Sequence, residues 1–394
     1  SMSAEMLKAT KVRIYPTPEQ AEFLNRQFGA TRFVFNMALH IISSQYKRHG
    51  LKLKAKKDIK PLLVLAKKSR KYHWLKDFDS IALQQACINL DKAFQNFFDP
   101  KLPARYPKFK RKHGKQSSYH CMSVSAAENW IKIPKMGPIK ARVHRALDGK
   151  LKSITLSRTV TGKYYASLLV EDGVEAPTPL RTVDTVLGVD MGLTHLVIDS
   201  EGNKTANPRF LKRAQLNLRR KQKALSRCQK GSKGRTKARL KLAKAHERLA
   251  NARADFQHNL SRQLIDENQA VIVETLKVKN LLKNRKLSKH IADASWFSLI
   301  QKLEYKAKAQ GKHLVKIDQW FASSKTCSCC DHKVDSMPLR VRSWICAHCG
   351  TAHDRDINAA INIRQQGIVK LRAEGLSAPA NRGLRKSGHV PVAA

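Results

Sequence analysis

Acidic residues are scarce in this chain of 394: 30 aspartates and glutamates stand against 76 lysines and arginines, a net charge of +46. A surface so nearly single-signed cannot neutralise itself. A polyanion relieves the repulsion, so nucleic acid is the first ligand class to consider. Long apolar runs are also missing. No stretch approaches the roughly 20 residues that cross a bilayer, and the opening residues lack the apolar core of a secretory signal, so the reading is an intracellular protein with no membrane partner. Cysteine is sparse as well. Eight residues are too few for a disulfide scaffold, and five of them lie between Cys327 and Cys349, which suggests metal binding in a reducing compartment.

What is present is organised in blocks. With 42% hydrophobic residues the chain has material for two or three cores. Residues 11–15 alternate polar and apolar side chains, the pattern of a half-buried strand. Thr17-Pro18-Glu19-Gln20 then predicts a helix start, with Thr17 as cap and Gln20 closing a capping box. Leu83, Cys87, Leu90, Phe94 and Phe97 recur at helical spacing, so residues 17–105 are read as a helical bundle with Cys87 as core filler. From residue 106 the texture changes. A basic cluster (Lys108, Lys110, Arg111, Lys112, Lys115) leads into short β-rich runs at 119–124, 130–133, 151–156 and 164–170. These predict a small β-barrel over 106–180, completed by the first strand in 1–16, with the bundle as an insertion.

Beyond a linker near residues 176–179, residues 186–190 and 194–198 read as a hairpin around Met191-Gly192-Leu193. Between Lys204 and Ala250, 17 basic residues meet one acid, Glu247. Such a run cannot pair with itself at i,i+4, so contact with phosphates, through Arg219, Arg220 and Lys221 among others, is preferred over a solvated face. Leu216, Leu240, Leu242 and Leu249 form its thin apolar seam. Residues 270–274 read as a buried strand, 294–310 as a helix and 314–317 as another strand. The tail 376–394 has no periodicity and is expected to be disordered.

Two clusters carry chemistry. Cys327 and Cys330 form one Cys-x-x-Cys knuckle and Cys346 with Cys349 a second, a spacing that builds the four-thiolate tetrahedral shell of structural zinc. Cys329 is then a spare. His332, His348 and His353 find no vacancy, and a closed shell does no catalysis. The other cluster is acidic. Asp190 and Glu274 each end an apolar strand run, and Asp356, beside Asp354, opens a helix directly after the knuckles. A turn aspartate explains any one of them. Together they suit two magnesium ions about 3.5–4 Å apart, which need bridging carboxylates to activate water on a phosphodiester. Spacing alone does not separate this site from three unrelated structural acids.

The runs Gly188-Val189-Asp190-Met191-Gly192, Val271-Ile272-Val273-Glu274 with Leu276-Lys277-Val278-Lys279-Asn280, and Ser324-Lys325-Thr326-Cys327 through Asp354-Arg355-Asp356-Ile357-Asn358-Ala359-Ala360 resemble the RuvC nuclease of TnpB proteins, relatives of type V CRISPR effectors. Tyr15-Pro16-Thr17-Pro18-Glu19-Gln20, Arg32-Phe33-Val34-Phe35-Asn36 and Pro107-Lys108-Phe109-Lys110 are similar to the same family, so the likeness spans nearly the whole chain. It implies a multidomain α+β protein: a wedge β-barrel with an inserted recognition bundle, then an α/β RNase H-like (RuvC) domain over 181–322 and 353–375, interrupted by a zinc ribbon over 323–352. It also implies an RNA-guided DNA endonuclease of prokaryotic cytoplasm, monomeric in a ribonucleoprotein. Such an enzyme binds a guide RNA from the transposon end and cuts double-stranded target DNA beside a short motif. Asp190, Glu274 and Asp356 match its catalytic positions, with Asp356 preferred to Asp354 because it stands two before Asn358. Two departures are Asp331, where the family has glycine, and Thr275, where an acid is common. The competing functions are a nuclease-silent guided repressor and a strand-joining transposase.

Overall fold

The computed structural model describes residues 5–113, 116–143, 147–191, 195–206, 208–275, 287–318, 323–338 and 340–379. Lys115, Gly192, Leu193, residues 276–280 and the tail from residue 380 lie outside that set. Two compact units divide at Glu175 and Ala176.

The first unit joins a sheet to a helical bundle. β1 (Glu5–Tyr15) buries Val12 and Ile14 and leaves Lys11 and Tyr15 exposed, as the alternation requires. α1 (Pro18–His49) begins at the expected box: the Thr17 hydroxyl accepts from the Gln20 amide at 3.2 Å, and Gln20 Oε1 accepts from the Thr17 amide at 3.0 Å. Two amides left bare by the helix start are thereby satisfied, a contribution of ~1 kcal/mol. α2 (Leu62–Lys68) and α3 (Ser80–Phe98) complete a core of Val34, Phe35, Leu39, Leu83, Cys87 and Leu90. Burial pushes the Cys87 thiol up to about 11, which suits a space-filler.

β2 (Gln116–Cys121), β3 (Ser125–Ala126), β4 (Trp130–Lys132), β5 (Ile139–Ala141), β6 (Lys150–Thr159) and β7 (Tyr164–Glu175) join β1 in the order β2-β6-β7-β1-β5-β4-β3. The expected barrel does not form. The described strands make an open antiparallel sheet whose edges are β2 and β3. Helices take the place of closure: Leu24 and Phe28 of α1 and Ala82 of α3 enter the core lined by Tyr119, Leu156 and Ile139. The Phe28 and Tyr119 ring centroids are 5.4 Å apart. The far arm, built of strands of two and three residues, offers too few ladder bonds to carry the sheet round.

The second unit is α/β. Its sheet runs β10-β9-β8-β11-β12, from β8 (Val186–Asp190), β9 (His195–Asp199), β10 (Lys204–Ala206), β11 (Ala270–Glu274) and β12 (His313–Ile317). β8, β11 and β12 are parallel, β9 runs antiparallel to β8, and β10 turns back antiparallel to β9. α4 (Arg209–Ser226) and α5 (Lys233–Glu267) form a basic hairpin. Leu264 and Ile265 near the end of α5, with Trp296 and Leu299 of α6 (Leu287–Ala309), cover one sheet face over Val189, Val271 and Val273. Ile363, Ile368 and Leu371 of α7 (Arg355–Ala373) cover the other, over Val186, Ala270 and Ile272. Burial on both faces is why residues 270–273 read as an unbroken apolar run. The seam seen along residues 204–250 is only partly used: Leu249 is buried, but Leu216 and Leu240 are exposed. β13 (Ser343–Ile345) and β14 (Ala352–Asp354) make a small ribbon between β12 and α7.

Candidate functional site

Parallel pairing sets Val189 of β8 beside Val273 of β11. The next residues, Asp190 and Glu274, therefore end adjacent strands side by side. Strand alternation gives Asp190 the parity of Val186 and Glu274 that of Ile272, the two residues packed toward α7. α7 brings the third carboxylate, since Asp356 lies in its first turn. The approach depends on Gly188: a Cβ there would collide with the Ala360 carbonyl and the Arg364 amide, so only glycine lets α7 lie this close to β8. Arg364 Nε then donates to the Val186 carbonyl at 2.9 Å.

The three acids are mutually unfavourable as they stand. Burial, then Glu274, then Asp356 push the Asp190 carboxyl up to about 7, against the Met191 amide, which donates to Oδ1 at 2.9 Å, and Arg355. Burial also pushes Glu274 up to about 7 against a hydrogen bond from Ser323, and Glu274 Oε1 is buried without a hydrogen-bond partner. A buried carboxylate oxygen with no donor fits a divalent cation.

The electrostatics carry a sign that can be tested. A carboxyl with a raised folded pKa is favoured in its protonated form, so its penalty is absent near pH 4, grows as pH rises toward 7 and is complete above that. Asp190→Asn keeps the acceptor for Met191 and removes the charge. It is expected to stabilise the metal-free protein by about 2–4 kcal/mol at pH 8 and by almost nothing near pH 4, measured by urea unfolding across pH.

Asp354 is otherwise engaged. Its Oδ1 accepts from the Asp356 and Ile357 amides, both at 3.0 Å, and so caps α7, while Oδ2 meets Lys204 Nζ at 2.7 Å. Burial acts to raise this carboxyl, but Lys204 and the two amides outweigh it and hold the carboxyl below its ordinary value. Asp356 instead faces Arg342, with Nη1 3.5 Å from Oδ2.

The cysteine cluster sits directly behind α7. Cys327 and Cys349 sulfurs are 3.6 Å apart, as are those of Cys330 and Cys346, close to the ~3.8 Å edge of a tetrahedron with Zn–S bonds of about 2.3 Å. Each knuckle closes alike: the Asp331 amide donates to the Cys327 carbonyl and the Gly350 amide to the Cys346 carbonyl, both at 2.9 Å. Gly350 adopts φ 74° and Asp331 φ 64°. The family glycine is thus replaced by a residue whose short side chain tolerates the left-handed region, and the turn survives. The Cys329 thiol lies outside the group, but its amide donates to Cys327 Sγ at 3.4 Å. His353 Nε2 lies 3.0 Å from the same sulfur.

Sequence reasoning missed the residues that fasten knuckle to helix. Buried Asn358 accepts from the Ser328 amide at 2.9 Å and donates to the Thr326 carbonyl at 2.8 Å. Asn362 donates to the carbonyls of Ser323 and Thr326 at 2.8 and 2.7 Å. Asn at i and i+4 on an otherwise apolar helix face was the available signal.

The basic residues fall in both units. In the first, Lys108, Lys110, Arg111 and Lys112 are exposed on the segment after α3. Asn36 clamps it, accepting from the Lys110 amide at 2.8 Å and donating to the Lys110 carbonyl at 2.9 Å. The Lys110 ammonium rests 4.2 Å over the Phe35 ring, and although the residue as a whole is exposed, desolvation of the ammonium lowers its pKa. The Phe35-Asn36 motif therefore holds a cationic strap. Beside it opens a cavity of about 510 Å³ whose lining includes Arg32, Gln85, Asn89, Lys110, Arg111 and His120. In the second unit, α4 exposes Arg219 and Arg220 and leaves Lys221 half-buried. These two basic groups are not brought together within either unit.

Residues 2–51 match an OrfB/IS605 helix-turn-helix domain, residues 167–285 an OrfB/IS605 family described as "Probable transposase", and residues 296–363 the TNB domain of Cas12f1-like proteins. The first span holds β1 and the single helix α1 here. A Streptomyces pristinaespiralis protein named for RNA-guided DNA endonuclease activity is 39% identical over 373 residues, covering 93% of this chain and 91% of its own. InsQ of Escherichia coli K12, named likewise, is 29% identical over 389 residues, with 93% of each chain covered. The Cas12f1 chain of a cryo-EM complex with sgRNA and target DNA matches with a TM-score of 0.54 at 12% identity, over 91% of this chain and 99% of that one, a likeness of fold. With 93% of its length aligned at 39% identity, the chain belongs to the TnpB family of RNA-guided DNA endonucleases.

Proposed function

We propose that this chain binds a guide RNA made from the transposon end and cuts double-stranded target DNA beside a short adjacent motif, with Asp190, Glu274 and Asp356 holding two magnesium ions. One observation carries the reading: in a chain of net charge +46, two half-buried carboxyls pushed up to about 7 end adjacent parallel strands. The helix that brings Asp356 starts beside them. Clefts at the carboxyl ends of parallel strands are where α/β sheets bind ligands. Bound there, the ions supply a water activated for attack and a counter-charge for the departing oxygen. The chain's own contribution is to hold the three carboxylates rigidly, through Gly188 against α7 and through Asp354 as the cap that leaves Asp356 for the site.

The cysteines Cys327, Cys330, Cys346 and Cys349 hold a structural zinc, and the two asparagines transmit its shape to α7. Lys108, Lys110, Arg111, Lys112, Arg219, Arg220 and Lys221 meet phosphates. The cavity beside Lys110 and Arg111, with its amides and imidazole, suits the edge of a nucleic acid. The particle is one chain in a ribonucleoprotein.

Sequencing RNA that co-purifies with the chain, then challenging the complex with labelled duplex in magnesium, tests the reading. Guided double-strand cuts support it. Binding without cuts would replace it with a repressor. Joined products would favour the strand-transfer reading that the "Probable transposase" family description suggests.

The phosphate contacts have their own test. Replacing Lys110, Arg111 and Lys112 with alanine is expected to lower the slope of log affinity against log salt by about 0.9 for each lost contact with duplex DNA. An unchanged slope in a filter-binding titration would mean that the three cations are only solvated.

A further inference from the structure

The sheet of the first unit has two faces, and its apolar core uses one of them. Val12 and Ile14 of β1, Ile131 of β4, Ile139 and Ala141 of β5 and Ala166 of β7 pack into that core. Strand alternation therefore puts Lys11, Arg13, Tyr15, Trp130, Lys140, Arg142 and Tyr165 on the opposite face. Register sets them in rows. Tyr15 lies opposite Lys140, and Lys140 lies opposite Trp130. One step along, Tyr165 lies opposite Arg13, whose carbonyl accepts from the Arg142 amide at 3.1 Å. The Arg13 guanidinium stands between two rings, 5.3 Å from the centroid of Tyr15 and 5.6 Å from that of Tyr165, and the Lys11 ammonium lies 4.7 Å over Tyr165. Tyr15 is still 39% exposed, and Lys11, Lys140 and Arg142 are exposed as well.

As a stability device this face is poor. Arg13 and Arg142 are like charges on adjacent strands, an arrangement that destabilises a sheet. Among the described residues no carboxylate pairs with Lys11, Arg13, Lys140 or Arg142. Arg13 Nε is buried with no hydrogen-bond partner among them either, so two tyrosine rings do what an acid would ordinarily do. Rings set among unpaired cations on an open sheet suit one ligand class, an unpaired nucleotide whose base stacks on a ring while its phosphate meets a cation. A duplex keeps its bases stacked on one another and would use the cations alone. We propose that the solvent face of β4, β5, β1 and β7 is a binding site for unpaired nucleotides of the guide RNA. Tyr15, Trp130 and Tyr165 are its stacking rings, and Arg13, Lys140 and Arg142 its phosphate contacts. The inference rests on the guide-RNA reading proposed above and adds the surface and the mode by which the RNA is held.

The test uses the full chain, stripped of RNA in high salt and titrated with the RNA that co-purifies with it, with a DNA strand of the same sequence and with duplex RNA. Tyr15→Ala is expected to bind the co-purified RNA at least ~5-fold more weakly, the low end for one lost base stack, whereas Tyr15→Phe keeps the ring and should bind like the parent. Because no charge is removed, the slope of log affinity against log salt should stay the same in Tyr15→Ala. The exposed pair Lys140→Gln with Arg142→Gln should instead lower that slope by about 0.7 for each lost contact with a single strand. Ultraviolet crosslinking of the parent complex, followed by peptide mapping, is expected to place RNA adducts on Tyr15 or Trp130. Binding by Tyr15→Ala at the parent's affinity overturns the inference, as does an equal loss of affinity for duplex RNA, or a slope left unchanged by the paired glutamines. A larger loss for the DNA strand than for the RNA overturns the guide assignment and gives the face to a displaced target strand. A parent chain that binds no RNA would instead overturn the guide-RNA reading beneath it.

Discussion

Replacing Asp190, Glu274 or Asp356 with alanine is expected to reduce magnesium-dependent cutting by at least ~10³-fold, beyond the cost of one lost charge-stabilising donor, while guide RNA and target affinity change little. Binding comes from base pairing by the guide and from many distributed cations, so deleting one anion from a chain of net charge +46 removes no attraction for the polyanion. Cutting depends on carboxylates at fixed separation, and each of the three is held by a different element: β8, β11 and the first turn of α7. No neighbour can replace the one removed. The informative control is Asp354→Asn, which keeps the cap on α7 because asparagine caps as well as aspartate, and gives up the pair with Lys204. Cutting by this variant should stay within a few-fold of the parent. Loss of cutting in Asp354→Asn with retention in Asp356→Ala, in parallel cleavage and mobility-shift assays, would exchange the roles of the two aspartates.

Replacing Cys346 with serine should release the zinc and, with it, most of the cutting activity. The four sulfurs hold two knuckles otherwise fastened by backbone turns, a two-strand ribbon and the asparagine bonds to α7, and a structural zinc contributes an apparent ~10–16 kcal/mol in small domains that fold around it. The effect should travel along named bonds. Ser328 and Thr326, on the first knuckle, are tied to Asn358, two residues beyond Asp356, and Ser323, which hydrogen-bonds Glu274, is tied to Asn362. Losing the metal therefore loosens two of the three carboxylates, whereas Cys329→Ser should keep both zinc and activity, since the Cys329 thiol lies outside the four-sulfur group and its amide, which the substitution keeps, meets Cys327. Elemental analysis beside the cleavage assay decides the matter, and equal losses in the two variants would refute the ligand assignment.

The strands bearing Asp190 and Glu274 were legible because two-sided burial forces a run such as Val271-Ile272-Val273, and an acid that ends such a run has few structural reasons to be there. The capping box at Thr17 was equally plain, since its hydrogen bonds join residues three apart. The barrel was misread for the opposite reason. Whether β2 pairs with another strand or is covered by Phe28 and Ala82 depends on helices more than thirty residues away, and alternation shows only that one face is apolar. Short strands such as β3 and β5 leave no period to detect.

Sequence by itself pointed to the ligand class, the four thiolates and two of the acids, Asp190 and Glu274, because charge balance, Cys-x-x-Cys spacing and apolar runs are local properties that survive without coordinates; Asp356 was chosen on the family resemblance of its motif. It did not separate Asp354 from Asp356: two acids two residues apart look alike until the first turn of α7 assigns one to the bare amides and to Lys204. Nor did it single out Arg342 among 76 cations. Which cation faces which anion is settled by the pairing of β13 with β14 and by the anchoring of Arg355 on the preceding carbonyls, contacts made only when the chain has folded.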